Sequence, residues 1–271
     1  MARNLGSTGR PGGPGAGPEH GPAGDLAGQA WAGRSFDPAA DSDDDGLAPA
    51  ALVAALAAFR AREVGEEHVV DAIRQSRLLI PLVTQLGEAG ENDQGLTIDK
   101  TQELSIITVA GPDGRNVLPA FTSAAAMARW NATARPVPSD AIRVALAAAQ
   151  EDTELVVLDP TGSDEFVIRR PALWAIAQSL PWTPSYASQP VAAAFAESIG
   201  TELAVLGVEL LAGDPDARLA GPELIVRIEL VDGLTQVELD ATLARLASRW
   251  SASDPIATGV DSLRVQLTSA R

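Results

Sequence analysis

The chain has 271 residues, a formal net charge of −16 and no cysteine. That length is sufficient for one large domain or for two small ones with hydrophobic cores of their own. The lack of cysteine excludes disulfides, thiolate catalysis and cysteine-ligated metals, and the acidic balance argues against binding to nucleic acids or to anionic membrane surfaces.

Residues 1–46 are predicted to be a disordered, acidic tail rich in Gly and Pro. No apolar periodicity is present there that could offset the entropy cost of ordering the segment. Arg3 and Arg10 are followed by Gly and Pro and not by an apolar core, so we expect no signal peptide. The longest apolar stretch, residues 47–59, is shorter than the roughly 20 residues that cross a bilayer. A cytoplasmic protein is therefore expected.

Residues 47–180 are predicted to form the first of two small α+β units. A helix is expected after Pro49, because proline suits the first helical turn, and a second helix is expected over residues 67–75. Residues 77–83 are typical of a buried strand. Pro81 within this strand indicates an edge position or a bulge, since proline has no N–H to donate to a ladder.

A hairpin followed by a capped helix is predicted next. Residues 104–109 and 116–121 read as strands, and the Asp-Gly step between them is a strong hairpin signal. Thr122 or Ser123 is then expected to cap the helix that carries Trp130.

The remainder of this unit is predicted to alternate between helices and strands. Residues 135–138 contain two prolines and are expected to interrupt regular structure. Ser139 is expected to cap a helix, strands follow over residues 154–158 and 165–168, and Pro171 opens a further helix.

Residues 181–190 contain three prolines and are predicted to be a linker. Residues 191–271 are then expected to form a second unit in the order α-β-β-α-β. Within it, residues 224–230 alternate between apolar and polar side chains, and Thr235 with Glu238 forms a capping box. Because hairpins outnumber strand–helix–strand crossovers, the fold class is predicted as α+β, with mostly antiparallel or mixed sheets.

No recognisable catalytic or cofactor motif is present. His20 lies in the tail and His68 follows two glutamates, so the histidines can complete neither a catalytic triad nor a histidine metal site. No Walker motif and no dinucleotide-binding glycine pattern occurs in a suitable context. We therefore predict a protein without enzymatic activity, cofactor or metal.

The turn before the third helix is the candidate ligand site. Phe121, Thr122 and Ser123 lie at a helix N-terminus, where free N–H groups favour an anion or a carboxylate. Arg135 could join them, with Trp130 as a wall. The alternative reading stays open: Thr122 or Ser123 only caps the helix, and Phe121 packs into the core.

Several motifs between residues 77 and 174 carry a family resemblance: Arg77-Leu78-Leu79-Ile80-Pro81-Leu82, Leu118-Pro119-Ala120-Phe121-Thr122-Ser123, Trp130, Arg135-Pro136 and Val156-Val157-Leu158-Asp159-Pro160. They resemble the SseB N-terminal domain, of the enhanced-serine-sensitivity protein B family. The resemblance extends, more weakly, into a C-terminal α+β unit. It implies a fold, and it implies no established enzymatic reaction.

Three functions follow as hypotheses. The first is a cytoplasmic, non-enzymatic interaction or sensing protein of the SseB type, with a small amino-acid-like ligand. The second is a protein–protein adaptor without a small-molecule ligand, for which Trp182 and Tyr186 are candidate partner or inter-domain contacts. The third is a hydrolase that uses paired carboxylates, either Asp164-Glu165 or Asp214 with Asp216.

Overall fold

Helices and short strands follow one another along the part of the chain that the computed structural model describes, residues 44–85, 103–106, 108–150, 153 and 155–269. Residues 1–43 of the predicted tail lie outside it. The α-helices are α1 (Ala50–Arg60), α2 (Glu66–Arg74), α3 (Ala124–Trp130), α4 (Ala141–Gln150), α5 (Arg170–Ala177), α6 (Gln189–Ile199), α7 (Gln236–Ser251) and α8 (Asp254–Gly259). The strands are β1 (Arg77–Gln85), β2 (Glu103–Ile106), β3 (Val109–Ala110), β4 (Asn116–Ala120), β5 (Arg135–Asp140), β6 (Val156–Leu158), β7 (Phe166–Ile168), β8 (Val205–Ala212), β9 (Leu224–Leu230) and β10 (Leu263–Ser269).

Two sheets build the N-terminal half. One has the strand order β2-β1-β5 and is antiparallel. The other has the order β3-β4-β6-β7, in which β4 and β6 are parallel and the other pairs antiparallel. The sheets meet where Leu79 and Phe121 exchange backbone hydrogen bonds of 2.8 and 2.9 Å. Helices combined with mixed and antiparallel sheets confirm the predicted α+β class.

Strand β1 is the central strand of its sheet, so the edge position or bulge predicted from Pro81 is wrong. On one side of β1, Leu79 bridges to Phe121, and pairing with β2 starts only at Leu82. Pro81 lies at the changeover between these two partners. On the other side it lies opposite Pro136 of β5. A central strand accepts Pro81 here because the ladder on that side of β1 is interrupted between Leu79 and Leu82.

The segment predicted to interrupt regular structure forms strand β5 instead. Residues Arg135–Asp140 pair with β1, and among the described strands β5 has no second neighbour. An edge strand tolerates its two prolines because an N–H that faces away from the ladder is not needed. Ser139, predicted as a helix cap, is a buried residue of this strand, and α4 starts two residues later.

The predicted hairpin is present, but its first strand is divided. Strands β3 and β4 pair through Val109 opposite Val117, and the turn between them places Gly114 at φ +82°. Glycine adopts that left-handed conformation without the steric cost of a Cβ atom. The single strand predicted over residues 104–109 is split, because β2 pairs with β1 and β3 pairs with β4.

The larger hydrophobic core lies between one face of the four-stranded sheet and helices α1, α2, α4 and α5. Residues of β4, β6 and β7 alternate between its two faces, as the two-residue period of a strand requires. One set, which includes Leu158 and Phe166, packs into the larger core, where the rings of Phe59 and Phe166 meet edge to face at 5.4 Å. The opposite face presents Val117, Val157 and Val167 to a separate small cluster.

The C-terminal half has the strand order β10-β9-β8, with β8 antiparallel and β10 parallel to β9. The predicted order α-β-β-α-β is present with one addition, the short helix α8 before β10. The capping box between Thr235 and Glu238 is confirmed. Helices α6, α7 and α8 pack on one face of this sheet, and the rings of Phe195 and Trp250 lie 5.2 Å apart in the core between them.

Residues 181–190, the predicted linker, join the two halves and are partly regular. A 3-10 helix covers Ser185–Ala187, and α6 begins at Gln189. Trp182 packs against the larger core, and Tyr186 packs against the C-terminal core. The two cores are distinct, but the described residues belong to one compact unit. The domain limits 47–180 and 191–271 stay a prediction.

Candidate functional site

The turn predicted as a ligand site uses its polar groups inside the protein. The Thr122 N–H donates to Asp159 Oδ1 (2.9 Å) and the Thr122 hydroxyl donates to Asp159 Oδ2 (2.6 Å). Both hydrogen bonds are buried. Ser123 Oγ accepts a hydrogen bond from the Ala126 N–H (3.1 Å) and so caps α3. Phe121 is fully buried. The turn therefore fastens α3 to the loop after β6.

Asp159 is the acceptor of both hydrogen bonds that Thr122 donates. Its burial raises the pKa of the Asp159 carboxyl above the ordinary value, and the two hydrogen bonds from Thr122 offset only part of that rise. Its backbone lies in the left-handed region at φ +47°, as does that of Thr161 at +65°. The carboxylate thus orders both its own loop and the turn before α3.

The other two predicted site residues, Trp130 and Arg135, have different surroundings. Trp130, at the end of α3, packs against Phe121 with ring centroids 5.3 Å apart and is half-buried. Arg135 is exposed on β5, opposite Leu82 of β1. Trp130 lines a cleft, described next, and Arg135 does not.

That cleft, which we call the sheet cleft, has a volume of about 460 Å³ and lies on the face of the four-stranded sheet turned away from the larger core. Its residues come from the β3–β4 hairpin, from α3, from the β6–β7 region and from the loop between β8 and β9. The lining residues are Val109, Ala110, Gly111, Pro112, Val117, Pro119, Trp130, Val157, Pro160, Thr161, Glu165, Val167, Arg218 and Leu219.

Two side chains of opposite charge interrupt this mostly apolar lining. Glu165 Oε2 accepts a hydrogen bond from the Thr161 N–H (2.7 Å), and Glu165 Oε1 has no donor among the described residues. Arg218 Nη2 donates to the carbonyl oxygen of Ser163. The other N–H groups of the Arg218 guanidinium have no acceptor in the described part of the chain. Both side chains therefore keep hydrogen-bonding capacity for a molecule in the cleft.

The outer wall of the cleft comes from the C-terminal half, through the loop of residues 213–222 between β8 and β9, which we call the clasp loop. It lies against β7, where the Val167 N–H donates to the Ala217 carbonyl (2.8 Å). Leu219 is buried against Val117 and Val167. The sheet cleft is thus assembled from both halves of the chain.

Asp214 orders the clasp loop from within. Its buried carboxylate accepts the N–H groups of Arg218 (3.3 Å) and Leu219 (2.7 Å), and Arg169 Nη2 donates to it at 2.6 Å. These contacts hold Ala217 and Leu219 in the left-handed region, at φ +48° and +58°. Non-glycine residues keep such a conformation only where the surroundings enforce it.

Two arginines at the end of α1 hold the clasp loop from outside. Arg60 donates to the Asp216 carbonyl (2.6 Å) and to the Glu165 carbonyl. Arg62 donates to the Pro215 carbonyl and pairs with the Asp216 carboxylate. Burial lowers the pKa of Arg60, and the neighbouring charge of Arg218 acts in the same direction. The helix end therefore joins the loop to the N-terminal half.

A buried ion cluster forms a second joint between the halves. The Asp261 carboxylate, with a fully buried side chain, receives two hydrogen bonds of 3.0 Å from Arg115 and one of 3.0 Å from Arg169. Burial favours protonation of Asp261, but the two arginines outweigh it and hold its pKa below the ordinary value.

The pKa values of two further carboxylates near this joint are raised and not lowered. Burial raises the pKa of Glu66 to about 7, against a hydrogen bond of 3.2 Å from the Tyr186 hydroxyl. Burial also raises the pKa of Glu223, whose Oε2 accepts the Asp261 N–H (2.6 Å). Tyr186, a candidate partner or inter-domain contact, therefore contacts α2 of the N-terminal half.

Sequence reasoning did not find the sheet cleft, although it singled out four of the acidic residues around it. Glu165 lines the cleft, whereas Asp214 is ion-paired in the clasp loop and Asp216 contacts Arg62. Asp164 is exposed. Glycine and proline at both ends of residues 213–222 predict a loop. They do not predict which part of the protein that loop packs against.

Two absences hold within residues 44–85, 103–106, 108–150, 153 and 155–269, the ranges that the structure describes. No group of three or more His, Asp or Glu side chains is placed there to hold a metal ion. Among the helices of those ranges, none combines the length and apolarity needed to cross a bilayer.

Comparison with known proteins finds one family whose model matches part of the chain. Residues 52–175 match the SseB protein N-terminal domain, which confirms the resemblance seen in residues 77–174. No curated protein and no solved structure matches the chain. The matched residues include the sheet side of the cleft and end before the clasp loop.

Proposed function

We propose that this chain, in which residues 52–175 match the SseB protein N-terminal domain, is a non-catalytic binding protein for a small, amino-acid-like molecule held in the sheet cleft. The observation that carries the proposal is the lining of the cleft. Apolar side chains surround a space of about 460 Å³, and Glu165 and Arg218 keep unused hydrogen-bonding groups beside it.

The dimensions and chemistry support a small amphipathic ligand. Sites for small molecules are usually clefts of roughly 300–1,000 Å³, mostly apolar, with a few polar groups that fix orientation. Val109, Val157 and Leu219 offer apolar surface, and Trp130 adds an aromatic wall. A molecule with an aliphatic or aromatic part and two charged groups matches this arrangement.

The same lining favours binding over catalysis. The described residues of the cleft include no His, Ser, Cys or Lys. Nucleophilic catalysis needs a nucleophile within hydrogen-bond reach of a base, and Thr161 with Glu165 would have to supply both. The Thr161 N–H already occupies one oxygen of Glu165. The proposal is therefore of a sensor or carrier, not of a hydrolase.

A thermal-shift measurement tests this function. We expect amino acids with apolar side chains to raise the melting temperature of the full chain in a dose-dependent way, because a ligand that binds only the folded state stabilises it by mass action. The Val109→Trp variant, which fills the rim of the cleft, is expected to abolish the shift. Val53→Trp, at an exposed site on α1, is the matched control and should keep it.

Two outcomes would contradict the proposal. One is a flat response to all amino acids at millimolar concentration while the protein melts cooperatively. The other is a shift of equal size in the Val109→Trp variant, since binding would then occur elsewhere.

A second function, a protein–protein adaptor, has a separate observation in its favour. Leu203 is 96% exposed and Val237 is 78% exposed, both in the C-terminal half. Leu203 also lines a groove of about 550 Å³ together with Leu234 and Arg245. Leu203 therefore presents exposed apolar surface at this groove, against which a partner side chain can pack.

Partner capture tests the adaptor function. Leu203→Glu is expected to release a protein partner that wild type retains at high salt, because a charge at an apolar contact must be desolvated without a partner. Exposed Leu180→Glu, in the segment after α5, is the control. Equal retention by wild type and by Leu203→Glu would exclude this surface.

A further inference from the structure

We infer that Arg218 recognises a carboxylate group in the sheet cleft, so that the C-terminal half decides which ligands the SseB N-terminal domain accepts. This inference rests on the proposed function. It extends that function by naming the charged group of the ligand and the residue that binds this group. The clasp loop, which carries Arg218, lies outside the matched residues 52–175.

The position of Arg218 supports a recognition role. The side chain is half-buried at the cleft, and the Ser163 carbonyl takes up only one of its nitrogens. A guanidinium presents its donors in a planar fork that matches the two oxygens of a carboxylate. Next to an apolar lining, such a charge-assisted contact is weakened less by water than at an open surface.

A second charged side chain of the cleft sets the orientation of the ligand. Glu165 lines the same cavity and has one oxygen without a donor among the described residues. An α-amino acid carries an ammonium group and a carboxylate on one carbon atom. We place its carboxylate at Arg218, its ammonium group at Glu165 and its side chain against the valines and Trp130.

The clasp loop holds Arg218 in place before any ligand arrives. Asp214 accepts the backbone N–H of Arg218, and Arg169 anchors Asp214. The Ala217 carbonyl, one residue before Arg218, accepts the Val167 N–H of β7. Because the backbone on both sides of Arg218 is fixed, little backbone entropy is lost when its side chain binds a carboxylate.

The test uses fluorine NMR of the full chain labelled with 5-fluorotryptophan. The chain contains five tryptophans, and Trp130→Phe assigns the resonance at the cleft. The probes are L-leucine, L-valine and L-serine, each compared with the amino alcohol that lacks its carboxylate. We expect at least one amino acid to shift the Trp130 resonance with an affinity about 10- to 100-fold higher than that of its alcohol, the effect of one charge-assisted contact.

Variants of Arg218 then test whether this residue causes the preference for the amino acid over its alcohol. Arg218→Gln is expected to bind the amino acid and its alcohol with equal, weak affinity, and Arg218→Lys to restore part of the difference. Exposed Arg264→Gln, on β10, is the matched control and should leave both affinities unchanged.

The possible failures can be told apart. If an amino acid and its alcohol bind equally to wild type, or if Arg218→Gln keeps the preference, the carboxylate assignment is overturned and the proposed function stands. If no probe moves the Trp130 resonance, both the proposed function and this assignment are overturned.

Discussion

Replacing Arg169 by Met is expected to lower the free energy of unfolding by about 3–5 kcal/mol, the cost of removing one partner from a buried ion pair. The Arg169 side chain is 5% exposed and contacts Asp214 and Asp261, whose side chains are 3% and 0% exposed. Asp214 would lose its guanidinium partner, and Asp261 would keep Arg115 and the Ser262 hydroxyl. Uncompensated charge buried in the protein interior is the reason for the large effect.

Urea denaturation measures this change as a lower midpoint. Arg227→Met is the matched control, because Arg227 pairs with Glu209 at a surface where the two side chains are 38% and 56% exposed. Exposed pairs of this kind contribute about 0–1 kcal/mol. If Arg169→Met and Arg227→Met have the same small effect, the ion cluster does not hold the two halves together.

Stability is expected to fall as the pH rises from about 5 to 8, and Glu66→Gln is expected to remove the part of that fall that comes from Glu66. The pKa of Glu66 is about 7 in the folded protein and 4.5 in the reference state. Since the folded form binds this proton more tightly, its contribution to stability is complete below the unfolded pKa. It is lost as the pH rises through the folded pKa. The difference corresponds to about 3 kcal/mol.

The amide introduced by Glu66→Gln keeps an oxygen that can accept the Tyr186 hydroxyl, so the variant removes the charge and little else. At pH 8, Glu66→Gln should therefore be more stable than wild type, and at pH 4 the two should be nearly equal. Glu67→Gln, at the exposed neighbouring position, is the control. Some slope should remain, because burial raises the pKa of Glu223 and of Asp159 as well. An unchanged slope in Glu66→Gln would contradict the prediction.

These two predictions concern the joint that also supports the sheet cleft. Arg169 anchors Asp214, and Asp214 accepts the backbone N–H of Arg218 in the clasp loop. The stability of the joint and the shape of the cleft are therefore linked by the same side chains. A perturbation of the ion cluster is expected to reach the ligand site through the clasp loop.

Local interactions made much of the fold predictable. The capping box of Thr235 and Glu238 and the cap at Ser123 join groups three residues apart, and the alternation over Leu224–Leu230 repeats every second residue. The hairpin turn at Gly114 requires a residue that tolerates a positive φ. Each of these patterns depends on neighbours in the chain, so a single sequence is sufficient to recognise it.

The errors came from pairing between distant segments. Strand β5 was missed because its prolines disfavour regular structure locally, and pairing with β1 overrides that preference at a sheet edge. Pro81 predicted an edge strand, because proline disfavours regular pairing. On β1 the pairing partner changes at this position, so a central strand tolerates the proline. The short helix α8 was also missed.

By itself, the sequence determined the α+β class, most helix and strand positions, the helix caps at Ser123 and Thr235 and the SseB resemblance, because these depend on local geometry and on patterns within a few residues. Only the tertiary structure decided where Thr122 directs its hydroxyl, which strand is central and how the sheet cleft is formed. The cleft depends on contacts such as Arg60 with Asp216 and Arg169 with Asp214, which are 156 and 45 residues apart in the chain. Such contacts follow from the packing of the two halves, and no local pattern encodes them.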